Sequence, residues 1–325
     1  MRALGAFIIY ILCVAVIGAL LTPALWWIVG FGCGQFPDFE WLADIPFGRV
    51  ANRAFFFAAL CGLWPYLKAL RIANKAGWGW NISARNMLKS VFIGLLFGIV
   101  SMALLVLLEF WIGVVVWHDG RGFTYLAPKA ISFLMTGLVV SIIEETFFRG
   151  AMYTAIERDT NATLAIWATA FFYASVHFIH ADWPEGIPIR WYSGFQLFGA
   201  AFEKFGDPSI IGPFLALILV GALLGYLRRD LGHIGVGLGL HAGWVMVIQL
   251  GRKMSVLSSD YAAIRDLPAS HISKWEWLVS GYDDITSYLA AMYLLLMLVA
   301  WHLWRDQLVK QLPQSNPICT QEAQV

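Results

Sequence analysis

Residues 141–150 read SIIEETFFRG, and two carboxylates and a cation stand in an otherwise apolar run. Charge at membrane depth costs from about 2.5 kcal/mol upward, so such residues are candidates for function. Glu145 and Arg149 are four apart, which puts them on one helix face within pairing reach. Glu144 is rotated by about 100° from Glu145 on a 3.6-residue helix. Its own face carries Gly137, Ser141 and Phe148. One arginine neutralises one carboxylate at best geometry, which leaves Glu144 without a partner on its helix. A carboxylate beside a second carboxylate in a desolvated place is the setting of a general base. The plainer alternative is a helix-locking salt bridge next to a protonated Glu144.

Two histidines stand in comparable places. In FFYASVHFIH, residues 171–180, His177 lies deep in an apolar run with Tyr173 one turn before it. Taken alone, His177 reads more readily as a hydrogen-bonded packing residue, and His180 as an end-cap near the interface. In GVGLGLHAGWV, residues 235–245, Gly235, Gly239 and Gly243 recur every four residues. That spacing makes a small-residue face for close helix packing. His241, two residues from Gly239 and from Gly243, turns toward a different space. A simple hydrogen bond to a neighbouring helix is the bland alternative for it. Glu109 falls near the end of the third apolar run. His233 opens the seventh beside Arg228 and Arg229, where contact with water is expected.

Glu144, His177 and His241 each lie roughly a dozen residues from a helix end, which at 1.5 Å per residue reaches the middle of a bilayer. The three can therefore converge. A carboxylate with two imidazoles in a partly dry cavity suits water activation: the carboxylate takes a proton, and an imidazole orients the water or steadies the oxyanion. The same Glu144, His177 and His241 set is also a possible zinc ligand set, although the chain has no HExxH.

The elements that must hold these residues are membrane helices. Of 325 residues, 59% are hydrophobic and 13% charged, more apolar surface than a soluble domain of this size can bury. Eight runs are long enough to cross a hydrocarbon core of about 30 Å. They lie near 7–29, 54–70, 88–117, 129–156, 163–180, 210–228, 233–250 and 287–304. The fold class expected is an all-α polytopic membrane protein, with about eight transmembrane helices around a polar intramembrane cavity. The first run is too long for a signal-peptide core and is expected to be retained. The second carries Pro65, and the third is over-long. Residues 191–205 are aromatic but too short to span, and suit an interfacial or re-entrant position. Residues 255–286 are expected as a polar external loop.

The chain divides by this reading into N-terminal helices over 1–128, a catalytic helix set over 129–250, and an external loop, last helix and tail over 251–325. Basic residues in the loop 71–89, at Arg228–Arg229 and in the tail fall on one side, which puts both termini in the cytoplasm. A formal net charge of +1 argues against nucleic acid as a partner. The four cysteines form no pair with metal-binding or disulfide spacing.

At this point the residues resemble a known family. Glu144-Glu145-x-x-x-Arg149, then an aromatic-x-x-x-His177, then His241, on three separate apolar helices, is similar to the CPBP family of CAAX prenyl endopeptidases, also called Rce1-like or Abi. The resemblance covers roughly residues 130–250. It implies an eight-helix fold and a glutamate-type peptidase in which Glu144 with His177 activates water. It implies that Glu145 and Arg149 support the site and that His241 helps bind the oxyanion. It favours a metal-free mechanism, with no cofactor, over a zinc site. It also implies a membrane-anchored protein or peptide as substrate, cleaved near a C-terminus or leader, and a multi-pass place in a membrane, here expected to be the bacterial plasma membrane.

Two positions depart from the family pattern. Tyr173 stands where Phe is usual. Val245 stands where the motif His-x-x-x-Asn would place its asparagine. Valine donates no hydrogen bond; the Trp244 indole, the Tyr173 hydroxyl and a backbone N–H are the candidates to replace that donor. A catalytically silent binding or immunity protein of the same fold is the main rival reading. A proton-coupled transporter is a second, although the paired inverted repeats that such proteins carry are not seen.

Overall fold

Hydropathy and helix punctuation agree along the chain. The structure, a computed structural model, describes residues 2–35, 45–118, 120–179, 183–184, 186–279 and 287–315. His180 lies outside the described residues. The elements in order are α1 (Arg2–Gln35), α2 (Phe47–Ala69), α3 (Ala84–Trp111), β1 (Val115–Trp117), α4 (Phe123–Glu145), a π-helical segment (Thr146–Met152), α5 (Tyr153–Asp159), α6 (Ala162–His177), α7 (Ser193–Ala200), α8 (Ile211–Leu231), α9 (Gly235–Met254), β2 (Ser255–Leu257), α10 (Ser258–Ile264) and α11 (Tyr288–Gln311). Each of the eight apolar runs contains most of one of these helices or, for the fourth, of the continuous rod α4–π–α5. Among the described residues, five helical stretches are long and apolar enough to cross a membrane, and α6 is a shorter apolar helix. This is a helical, polytopic membrane protein.

The chain forms two compact units, Met1–Ala73 with Ser175–Pro208, and Asn74–Ala174 with Ser209–Val325. In the first, α1 packs on α2 and α7. Tyr10 stacks on Tyr66 at 4.9 Å between ring centroids, and the Tyr10 hydroxyl donates to the Ala59 carbonyl. Gly194 of α7 lies against the Ala19 backbone, where a Cβ would find no room. The aromatic stretch expected at the interface thus folds into a short helix, with Trp191 and Phe195 of that stretch exposed.

In the second unit α9 is wedged between α3 and α4. The expected glycine face is present and reciprocal. Gly239 lies on the Val91 carbonyl, Gly243 on Ile99, and Gly94 and Gly98 of α3 lie on the α9 backbone at Val236 and Leu240. Small residues let backbones approach to make many weak contacts where apolar lipid gives no hydrophobic drive. On the far side of α9, Gly137 of α4 sits against the Ala242 carbonyl. The Trp244 indole N–H donates to the Ser101 hydroxyl at 3.0 Å, and Ser101 donates to the Gly98 carbonyl. Helix α8 packs on α11, and its Gly221 and Gly225 lie on Ala170 and Ile166 of α6.

The third apolar run is shorter as a helix than hydropathy suggests. Gly113, at φ +74°, ends α3, and the Val114 N–H closes back on the Glu109 carbonyl in a Schellman turn. The β-branched residues that follow form β1, which pairs antiparallel with β2 in the register Val116 to Val256. The segment Ser255–Val279 is built from short elements, and the Glu276 carboxylate accepts from the Ser258 hydroxyl and the Ser259 N–H.

Candidate active site

The carboxylates of SIIEETFFRG close α4, and the arginine lies in the π-helical segment beyond it. Glu145 and Arg149 pair as their spacing predicts, Nη1 to Oε1 at 2.9 Å, each 1% exposed. The turn between them is wider than the continuous α-helix expected. Residues Thr146–Met152 are wound with π-type bonding, which is often found at functional sites. The Arg149 guanidinium also lies 4.3 Å above the Tyr173 ring of α6. A cation over an aromatic face is attracted by its quadrupole.

His241 of α9 completes the group. Its Nδ1 lies 3.0 Å from Oε1 of Glu145. Its Nε2 lies 3.8 Å from Oε2 of Glu144. The two glutamates point from different faces of α4, yet one imidazole meets both because its two nitrogens lie on opposite edges. Arg149 and His241 converge on one oxygen of Glu145, Oε1. Glu144 is different. A quarter (25%) of its side chain is open, and its contact with His241 is too long for a hydrogen bond. Tyr173 meets His241 edge to face at 6.2 Å and Phe148 at 5.2 Å. The ring is thus boxed between an aromatic wall and the carboxylates.

The described cluster of Glu144, Glu145, Arg149, Tyr173 and His241 is built within the second unit. His177, partly buried, is the last residue of α6 and belongs to the first unit. Among the described residues, no group of three His, Cys, Asp or Glu side chains is arranged to hold a metal ion.

Three readings change here. The Trp244 indole is committed to Ser101, so it is not a spare donor beside Val245. His233, expected at the water interface, is buried at 1% exposure. Its Nδ1 accepts from the Gly235 N–H, and its Nε2 lies 2.8 Å from the Pro313 carbonyl. Glu109 lies near the end of α3, as expected, and is fully buried. Arg228 also adjoins the site, although its sequence context does not mark it. Its place in an Arg–Arg pair after an apolar run reads as a topology signal, but its side chain is buried and its Nε–H donates to the Arg149 carbonyl.

Residues 126–247 match the model of the family described as type II CAAX prenyl endopeptidase Rce1-like. The match contains Glu144, Glu145, Arg149, Tyr173, His177 and His241. It spans a little over a third of the chain, and over that span the chain is similar to that family, whose members are generally peptidases. No curated protein and no solved structure matches the chain.

Proposed function

We propose that this chain, an integral membrane protein with an Rce1-like segment over 126–247, is an intramembrane endopeptidase. Its substrate is a membrane-associated protein or peptide cut near its C-terminus or leader. One observation carries the reading. A buried Arg149–Glu145 pair holds Nδ1 of His241, which leaves Nε2 facing Oε2 of Glu144, whose side chain is a quarter exposed. This is the arrangement of a fixed orienter, an imidazole and a base.

The chemistry follows from those positions. Glu144 takes a proton from water while the water oxygen bonds to the substrate carbonyl carbon, and the carbonyl π pair moves to oxygen. When His241 carries both ring protons, Nδ1–H donates to Glu145 and Nε2–H is available to the oxyanion. Collapse of the tetrahedral centre breaks the C–N bond, and Glu144 returns its proton to the leaving nitrogen. We assign His177 to the water, as the family resemblance implies. The mechanism we propose uses no metal. The basic loops favour both termini in the cytoplasm, and we place the chain in a bacterial plasma membrane.

A silent binding protein of the same fold is the second reading. It is favoured by Val245 and by the engagement of the Trp244 N–H elsewhere. Proteolysis in detergent or liposomes decides between them. Wild-type and Glu144→Ala protein are tested on membrane-anchored peptides, with and without a zinc chelator. Cleavage by the wild type alone, indifferent to chelator, is expected. Cleavage abolished by chelator would overturn the metal-free mechanism, and cleavage retained by Glu144→Ala would remove Glu144 from its role.

A further inference from the structure

The wide turn that carries Arg149 leaves one of its own carbonyls for an outside donor. The N–H of Tyr153 bonds to the carbonyls of Phe148 and Gly150 and passes over that of Arg149. In a regular α-helix Arg149 would have received it. The Nε–H of Arg228, from α8, donates to the Arg149 carbonyl instead, at 3.1 Å. The same guanidinium donates through Nη2 to the Ala76 carbonyl at 3.4 Å. A planar fork with donors in fixed directions can span two carbonyls, which the point charge of a lysine does not reproduce.

The loop that supplies Ala76 is itself folded onto the wide turn. Residues 74–80 are closed by bonds from the Trp78 N–H to the Asn74 carbonyl and from the Trp80 N–H to the Lys75 carbonyl. The Trp80 indole donates to the Thr146 hydroxyl at 3.1 Å, at the start of the π segment. Near its end, Gly150 lets the Trp78 carbonyl lie directly on the backbone. Gly79, at φ +77°, leaves room for the Arg228 fork, since a Cβ there would come 3.2 Å from Nε and 2.6 Å from Ile234. The loop and Arg228 therefore grip the turn from outside, one turn away from the carboxylates.

We propose that Arg228 is a positioning residue for the candidate active site. It holds the π-wound backbone at Arg149 so that the Arg149 side chain meets Glu145, and Glu145 in turn sets the ring of His241. The role in hydrolysis rests on the reading given under Proposed function; the role in holding His241 does not.

The test uses the full-length protein in detergent micelles with ¹⁵N-labelled histidine. The ring signals of His241 are identified by their loss in His241→Gln, and Glu145→Gln supplies the signature of an unheld ring. Arg228→Gln is expected to move the His241 signals in the same direction as Glu145→Gln, with Arg228→Lys between it and wild type. In the cleavage assay Arg228→Gln is expected to lower kcat about tenfold with KM within about twofold, the split of a lost transition-state interaction. Unmoved His241 signals in folded Arg228→Gln would overturn the proposal. If that variant does not fold, Arg228→Lys decides: wild-type signals at a wild-type thermal midpoint would overturn it equally. Should the wild type cleave nothing while His241 still follows Arg228, the hydrolytic reading fails and the positioning role stands.

Discussion

His241 on α9 and Glu145 on α4 meet at 3.0 Å between Nδ1 and Oε1, although 96 residues separate them in sequence. Arg149 reaches the same oxygen at 2.9 Å from the other side. One buried carboxylate thus couples a local helix pair to a distant imidazole. Removing one member of a buried ion pair leaves an uncompensated charge and costs about 3–5 kcal/mol. Arg149→Met is therefore expected to lower the thermal midpoint sharply. The double variant Arg149→Met with Glu145→Gln is expected to recover most of that stability and none of the cleavage. Recovery of cleavage in the double variant would show that the pair serves folding alone.

Trp244→Phe separates two roles of one side chain. The indole N–H holds Ser101 of α3, so its loss is expected to cost about 1 kcal/mol of stability. Cleavage is expected to stay within about twofold of wild type. A loss of about 10²–10³ in kcat is what removal of an oxyanion donor produces, and its appearance would return Trp244 to the reaction.

Val245 lies one turn beyond His241 on α9 and is partly buried. Val245→Asn places a carboxamide donor where the related motif carries one. An increase in kcat of about tenfold is expected, part of the range an oxyanion donor supplies. An unchanged rate with intact folding would mean that the oxyanion lies elsewhere.

The contact of α3 with α9 leaves no room for side chains at several glycines. At Gly239 a Cβ would meet the Val91 carbonyl and come 2.6 Å from the Leu95 nitrogen. Gly239→Val must push the helices apart, at about 1–3 kcal/mol or more, and it moves His241 two residues away. Thermal midpoint and cleavage are expected to fall together. At Gly237 a Cβ would rest at ordinary distances, 3.4 Å from Leu224 and 3.6 Å from Glu145. Gly237→Ala is expected to keep the wild-type midpoint, and a fall equal to that of Gly239→Val would contradict this packing.

His233 sets a pH dependence of stability away from the reaction. Burial pushes it below its ordinary value of 6.5; the Pro313 carbonyl opposes that shift and Arg228 adds to it. The folded state therefore gives up a proton that the unfolded chain still holds. Stability is full above about pH 6.5 and is lost as pH falls through the lower folded value. Protonation would also set a proton on Nδ1 against the Gly235 N–H that it now accepts. Thermal midpoints measured between neutral and mildly acidic pH are expected to drop for the wild type and to flatten for His233→Gln. Equal slopes in the two would assign the dependence to other groups.

The order and placement of the helices were legible in the sequence because hydropathy is a property of residues taken in windows. The pairing of Glu145 with Arg149 was legible too, because an offset of four residues is short enough for helix geometry alone to set. The glycine face of α9 and the turning of His241 away from it followed from the same periodicity. What the tertiary structure decided depends on groups far apart in the chain. The π winding of Thr146–Met152 sits where the Arg228 side chain competes for a helix carbonyl and the Trp78 backbone presses on Gly150. The burial of Arg228 and His233, both adjacent to polar sequence, required the loop 74–80 and the segment before Ser315 to cover them. The choice of His241 for Glu145 as well as Glu144 depended on how deeply α9 slides along α4, which the close backbone contacts at Gly137, Gly239 and Gly243 set. A sequence names the groups able to bond; only packing settles which competing partner comes within hydrogen-bond distance.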